Sequence, residues 1–325
     1  MKRIVFICPF FGKLPKQHME LWLQSCEGNP DIDWLIITDD ETTYRYPENV
    51  KVRYTTFGDL KSYMQKKFDF ELKLDSPYKL CDFKPTYGYI FSEYIQEYDF
   101  WGHCDMSDCI FGNLRKFLDE NILENSDKIG FLGHMTLYRN TEEVNKRFML
   151  PTKSGVALDE ILGVSVNKAF DELTPYSINT IYEEYGFSLT RVDSMYVDIS
   201  PLRFAFQASV YDNTFRQRYE KKEPLVFEWN DGSLFECKAI DGYVKKRELG
   251  YVHFQKRKML KEFSGTPKCY YIVPNSFKHE LSVGNYDVVV RLSKDRLYSV
   301  FFKLKWNAVK FRVNRLVEKV TGKGR

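Results

Sequence analysis

Arg3-Ile-Val-Phe-Ile-Cys-Pro-Phe-Phe-Gly12 carries the first decision about the fold. An unbroken apolar run from Ile4 to Cys8, stopped by Pro9 and Gly12, reads as a strand covered on both faces that opens into a loop. Two further runs have the same form: Trp34 to Thr38, ending in Asp39-Asp40, and Val50 to Thr55. Between and after them lie helix candidates at Lys16 to Ser25, Asp59 to Lys67 and Thr86 to Tyr94, the last with Pro85 at its start. Strands alternating with helices predict an α/β fold with a mostly parallel, doubly wound sheet flanked by helices. Such sheets bind ligands outside the carboxyl ends of their strands.

A further strand, Asp99 to Cys104, runs directly into Asp105-Met-Ser-Asp108, which places two carboxylates at that edge. Carboxylates there either cap a turn or hold a hard cation such as Mg2+ or Mn2+, which takes oxygen ligands and tolerates a diphosphate as co-ligand. A zinc site using His103, Cys104 and Cys109 is disfavoured, because adjacent strand residues point to opposite faces. Farther on, the sequence predicts a strand at Ile129 to Leu132 and a helix opened by Thr141. It also predicts loops at Pro151 to Gly155 and Pro175 to Ser177, a turn at Asn230-Asp231-Gly232 and a late strand at Gly250 to Phe254. His253 ends that strand. It is either a third metal ligand or a partly buried structural histidine; Lys256 and Arg257 after it either hold diphosphate oxygens or begin a basic helix.

With 325 residues, 43% of them hydrophobic, the chain suffices for one large α/β domain or two small ones. Its seven cysteines are odd in number and scattered, which argues against a disulfide framework and for a reducing compartment. No stretch approaches the roughly 18 apolar residues of a membrane span. The net charge of +3 hides an asymmetry, because residues 291–325 sum to +9 and the remainder to −6. Within that tail Phe302, Trp306, Val309, Val313, Leu316 and Val320 fall within about 40° of one line on a helix. Lys303, Lys305, Lys310, Arg312, Arg315 and Lys319 lie at its flanks or behind, while Leu304 and Phe311 interrupt the polar side. A basic amphipathic C-terminal helix suits an anionic membrane surface through 297–325; the alternative is a helix packed on the body. Nucleic acid is not expected as a partner, since the body is acidic and carries no reading motif.

The order of six stretches resembles bacterial surface-polysaccharide (capsule, O-antigen or exopolysaccharide) glycosyltransferases with a GT-A-like, Rossmann-type fold. They are Cys8-Pro-Phe-Phe-Gly-Lys13, Trp34-Leu-Ile-Ile-Thr-Asp39, Tyr78-Lys-Leu-Cys-Asp-Phe-Lys-Pro85, Trp101-Gly-His-Cys-Asp105 through Phe111-Gly112, Phe170-Asp-Glu172 and Tyr251-Val-His-Phe-Gln-Lys-Arg-Lys258. The resemblance implies a GT-A-like domain over 1–290, with a nucleotide-binding half at about 1–125, an acceptor half at about 126–290 and a tail at 291–325. It implies sugar transfer from a nucleotide-sugar, expected to be a UDP-sugar, to a lipid-linked or polysaccharide acceptor. The expected cofactor is Mn2+ or Mg2+, held by Asp105, Asp108 and His253. The spacing of the two aspartates departs by one residue from the D-x-D of such enzymes.

Donor contacts are expected from Pro9, Phe10, Phe11, Gly12, Lys13, Asp39, Asp82, Lys84, Lys256 and Arg257. Asp39 equally suits a plain turn, and Lys79, Asp82 and Lys84 equally suit a surface ion network. Asp171 and Glu172 are the candidates for a base near an acceptor hydroxyl, and His134 for an acceptor contact or a structural histidine. Two other readings remain open: a sugar-phosphate or nucleotidyl transferase on a similar sheet, and a non-catalytic, membrane-associated partner in polysaccharide assembly. The expected location is cytoplasmic, peripheral on the inner face of the plasma membrane.

Overall fold

A computed structural model gives the fold and describes residues 1–16, 18–106, 108–279, 284–294 and 296–321. The side chains of 308, 311, 312 and 314–321 are outside that description. The protein is mixed α/β and divides into two compact units. One comprises Met1–Tyr196 with Leu249–Tyr251; the other comprises Val197–Glu248 and the chain from Val252 onward.

The first unit is built on a seven-stranded sheet. In chain order its strands are β1 (Ile4–Phe10), β2 (Ile32–Thr38), β3 (Val50–Tyr54) and β4 (Phe100–Cys104), then, beyond the separate short strand β5 (Cys109–Phe111), β6 (Lys128–Leu132), β7 (Met135–Arg139) and β8 (Leu189–Thr190). The spatial order is β3-β2-β1-β4-β7-β6-β8. β1 pairs in parallel with both β2 and β4, and β2 with β3, whereas β7 runs antiparallel to β4 and β6. From β1 the chain proceeds outward to β2 and β3, then returns to lay β4 on β1's other side. The boundary between β1 and β4 is therefore a switch point, where a crevice opens at the carboxyl ends of the strands.

The apolar run Ile4 to Cys8 is buried throughout, as a central parallel strand requires. One aromatic group joins Trp22 of the helix Met19–Glu27 to Trp34 and Phe111, with ring centroids 6.4 and 6.1 Å away. A larger cluster gathers Tyr87, Phe91, Trp101 and Tyr138, where Trp101 stacks on Tyr138 at 4.5 Å. The helix Phe57–Gln65 begins where the Thr56 hydroxyl accepts from the Asp59 amide. Thr141 caps Glu142–Lys146 in the same way.

The helix expected over Thr86 to Tyr94 is instead three short turns, Lys84–Thr86, Tyr87–Ile90 and Ser92–Tyr94. Gly88 rests on the Trp101 indole so closely that a Cβ there would lie 2.2 Å from Nε1. With Tyr87, Ile90 and Phe91 all buried, side-chain packing overrides a continuous helical ladder.

The second unit contains β9 (Tyr196–Ile199), β10 (Ala208–Tyr211), β11 (Gln217–Tyr219), β12 (Leu225–Asn230), β13 (Ser233–Ile240), β14 (Tyr243–Leu249), β15 (Tyr251–His253), β16 (Leu260–Lys261), β17 (Cys269–Val273) and β18 (Ser276–Lys278), apart from the boundary residues Tyr196, Leu249 and Tyr251, which belong to the first. One sheet runs β11-β10-β9-β15 and another β14-β13-β12-β17-β18-β16. The β12–β13 hairpin turns at Asp231 (φ 47°) and Gly232 (φ 87°), the turn expected from Asn-Asp-Gly. A helix at Tyr286–Leu292 buries Val289 and Leu292 against Val226, Tyr271 and Val273. The C-terminal helix spans Ser299–Thr321. The expected tail surface at 322–325 lies outside the described residues. No described helix is long and apolar enough to cross a membrane.

Candidate active site

At the switch point of the first unit the carboxyl end of β1 opens into Pro9–Lys13. The loop is tied to the carboxyl end of β2: the Gly12 amide donates to Asp39 Oδ1 (2.7 Å), and Lys13 Nζ and the Leu14 amide donate to the two Asp40 oxygens (2.8 and 2.9 Å). Gly12 turns the chain with φ +89°, a conformation that a side chain would strain. Asp40 is buried, and the Lys13 ammonium, followed by the Thr42 hydroxyl and nearby amides, holds its carboxyl well below the usual range. Pro9 to Lys13 and Asp39 thus share one edge. Asp39 forms part of the loop's scaffold, and Asp40, which the sequence did not single out, fastens it.

β4 delivers Asp105 to the same end of the sheet, and the Asp105 amide donates to the His134 carbonyl as a last rung of the β4–β7 ladder (2.9 Å). Lys84 reaches this point from the turns after β3. Its Nζ donates to Asp105 Oδ1 and to the Gly133 carbonyl, each at 2.8 Å, and lies 3.4 Å from Asp171 Oδ2. Burial opposes the lysine's charge, but Asp105 and Asp171 overcome it and keep the ammonium protonated. Asp171 is itself buried, and burial pushes its carboxyl up to about 6, with Lys84 pulling down and Asp105 pushing further up.

Gly133 forms the floor of this cluster. A Cβ there would lie 2.3 Å from Asp171 Oδ2 and 2.8 Å from Glu172 Oε1, so both carboxylates lean over the same glycine. Neighbours on an extended strand would face different ways. Asp171 and Glu172 converge because the segment is a turn, with Ala169 at φ 52° and the Glu172 amide bonded to the Ala169 carbonyl (3.1 Å), and strand alternation does not apply.

Asp108 is half-buried at the start of β5. After burial, the charges of Asp105 and then Asp108 are what push the Cys109 thiol well above its ordinary value, which brings both carboxylates into its neighbourhood. Cys104 is likewise held up by burial and by Cys8, whose sulfur is 3.5 Å away. His103 points to the other face, against Tyr87 and Tyr138. Turned that way, His103 does not group with Cys104 and Cys109 as metal ligands among the described residues. The groups at this edge are carboxylate oxygens, the ligand type that a hard cation takes, and one ammonium, which adds positive charge but cannot ligate a metal. His134 lies across the β4–β7 ladder from Asp105, buried between the Tyr196 and Tyr251 rings, with Nδ1 3.2 Å from the Tyr251 hydroxyl.

Two expected donor-binding residues serve the fold instead. Asp82 is fully buried and accepts from Lys79 Nζ (2.7 Å) and from the amides of Lys168 (2.8 Å) and Phe170 (3.3 Å), so it anchors the segment that carries Asp171. In the second unit, Arg257 is buried and donates to the carbonyls of Ser200, Arg203, Phe204 and Ala205 and to Asn275 Oδ1. That guanidinium closes a loop and has no surface to offer a diphosphate. Lys256 beside it is exposed.

His253, also in the second unit, pairs through Nδ1 with Asp198 Oδ1 at 2.8 Å, and Gln255 donates to both Asp198 oxygens at 2.9 Å. Asp198 was missed by sequence reasoning; its signal was a lone carboxylate within the apolar strand Tyr196-Val-Asp-Ile199.

Residues 6–281 match the model of a family of unknown function (DUF6625). The chain belongs to that family. The match takes in every site residue described above, from Pro9 to Arg257, and leaves out the basic tail at 291–325. No curated protein matches the chain.

Proposed function

We propose that the chain is a glycosyltransferase. It would move a sugar from a nucleotide-sugar, a UDP-sugar, to a lipid-linked or polysaccharide acceptor at the carboxyl edge of the first unit's sheet. The observation that carries this reading is the meeting of Lys84, Asp105 and Asp171 over Gly133 at the switch point between β1 and β4. Asp171 is the base. A carboxyl at about 6 is largely ionised near neutral pH yet more basic than a solvated aspartate, which suits removal of a proton from an acceptor hydroxyl. The acceptor oxygen then bonds to the sugar's anomeric carbon, the bond from that carbon to phosphate breaks, and the nucleoside diphosphate leaves with the electron pair.

Asp105 and Asp108 are the residues that would hold Mg2+ or Mn2+. When bound, the cation neutralises charge on the departing diphosphate. Lys84 adds a fixed positive charge at the same place, and the Pro9–Lys13 loop offers backbone and the Lys13 ammonium to the nucleotide side. Glu172, whose carboxylate leans over Gly133, would contact the donor sugar.

The test is a product analysis of the purified chain with UDP-sugars and Mn2+, alone and with lipid-linked oligosaccharide. Release of UDP that ceases in Asp171→Asn supports the proposal. Transfer of a phosphate or a nucleotide instead would refute it.

A further inference from the structure

The C-terminal helix Ser299–Thr321 is rooted in the second unit and exposes a stripe that the proposed chemistry does not use. Its root is firmly packed. The Asn275 amide donates to the Arg296 carbonyl (3.0 Å), the Tyr298 hydroxyl to the Pro201 carbonyl, and Phe301 packs on Phe204 with ring centroids 4.2 Å apart. Beyond Phe301 the apolar side turns outward: Phe302 is 57% exposed, Trp306 61%, Val309 49% and Val313 50%. On a helical wheel these four occupy an arc of about 60°. Lys305 lies on one side of the arc, and Lys303 and Lys310 on the other, all exposed. A cleft at the root adds Arg203 and Lys222 beside Lys305 and Phe301.

We infer that this helix lies on an anionic lipid surface, with Phe302, Trp306, Val309 and Val313 in the acyl–headgroup boundary and the flanking lysines on lipid phosphates. The geometry is that of an interfacial helix. The apolar face is narrow, ammonium groups border it on both sides with stems long enough to reach the headgroup layer, and a tryptophan sits centrally on the face. Residues 291–325 sum to +9, a charge that anionic lipid complements and that a second copy of the same helix would repel. Among the described side chains, Phe301 makes the main contact with the second unit and Phe302 reaches its edge, with its ring centroid 6.1 Å from that of Phe204, while Trp306, Val309 and Val313 lie beyond that contact and are exposed. This inference is independent of the activity proposed above.

The chain supplies its own probe. Of the five tryptophans, Trp22, Trp34, Trp101 and Trp229 are buried and only Trp306 is exposed. The full chain is mixed with phosphatidylcholine vesicles, with and without one quarter phosphatidylglycerol, and read by tryptophan emission and co-sedimentation. The expected result is a blue shift and sedimentation with the anionic vesicles that weaken as salt rises, with little binding to phosphatidylcholine alone. Trp306→Phe should keep most of the sedimentation and lose the shift. Replacing Lys303, Lys305 and Lys310 together with glutamine should weaken binding roughly a hundredfold, at about fivefold per lysine near the surface. All four positions are exposed, and circular dichroism checks that each variant is folded. Absence of binding to either vesicle, equal and salt-independent binding to both, or a dimer in sedimentation equilibrium that Trp306→Ser dissociates would each overturn the inference.

Discussion

Replacing Lys84 with methionine removes the positive centre of the proposed site while keeping most of its volume. The ammonium lies 2.8 Å from Asp105 and 3.4 Å from Asp171, and the lysine side chain is 12% exposed. At an effective dielectric constant of about 20, each such pair gains roughly 5 kcal/mol of Coulomb energy. Desolvation of the lysine offsets much of this. Removing one partner of a buried pair nonetheless costs about 3–5 kcal/mol, because the remaining charge stays buried. For a unit of about 200 residues that corresponds to a melting point lower by roughly 10 °C.

The loss also carries a pH signature. Asp171 has a carboxyl raised to about 6, so between its unfolded value and that point the native state holds a proton that the unfolded state has released. Stability therefore falls as pH rises through this window. Lysine is the group pulling Asp171 down, so in Lys84→Met the window extends above 6. The melting-point gap between the wild type and the variant should be small near pH 5 and widen toward pH 8. Scanning fluorimetry across that range reads it directly. A gap equal at both ends, or a loss below about 1 kcal/mol at pH 8, would refute the placement of Lys84 between two carboxylates.

Two further substitutions separate site from scaffold. Gly133→Ala would put a methyl 2.3 Å from Asp171 Oδ2, so UDP release should fall at least tenfold while the melting point moves by only a few degrees; unchanged turnover would mean that Asp171 is not the base. Arg257→Met should destabilise the second unit by about 3–5 kcal/mol, because it strips four carbonyls and Asn275 of their donor. Nucleotide affinity at the first unit should not change, and a selective loss of nucleotide binding without destabilisation would return Arg257 to the donor site.

Much of the first unit was legible because continuous apolar runs such as Ile4 to Cys8 have one common use, a strand inside a parallel sheet. The same reasoning placed Asp105 at a strand end, since Trp101 and its neighbours had to stop somewhere wet. It failed where tertiary contact outweighs local pattern. Gly88 against Trp101 broke an expected helix, and a turn brought Asp171 and Glu172 to one glycine. Asp82 and Arg257 illustrate a different limit. A charged residue beside other charged residues reads as surface, and only the fold reveals that Lys79 neutralises one and four backbone carbonyls enclose the other. Asp198 is the reverse case, a carboxylate between apolar neighbours that the sequence reading passed over and that the fold buries against His253 and Gln255.

The central claim is that the Lys84–Asp105–Asp171 edge binds a nucleoside diphosphate together with a divalent cation. Isothermal titration calorimetry of UDP, GDP and CMP into the wild type and Asp105→Asn, with and without Mn2+, tests it most directly. UDP is expected to bind the wild type in Mn2+, at least tenfold more weakly when the cation is withdrawn, and comparably more weakly in a folded Asp105→Asn. Absence of nucleotide binding under every condition, or UDP binding indifferent to both Mn2+ and Asp105, would contradict it.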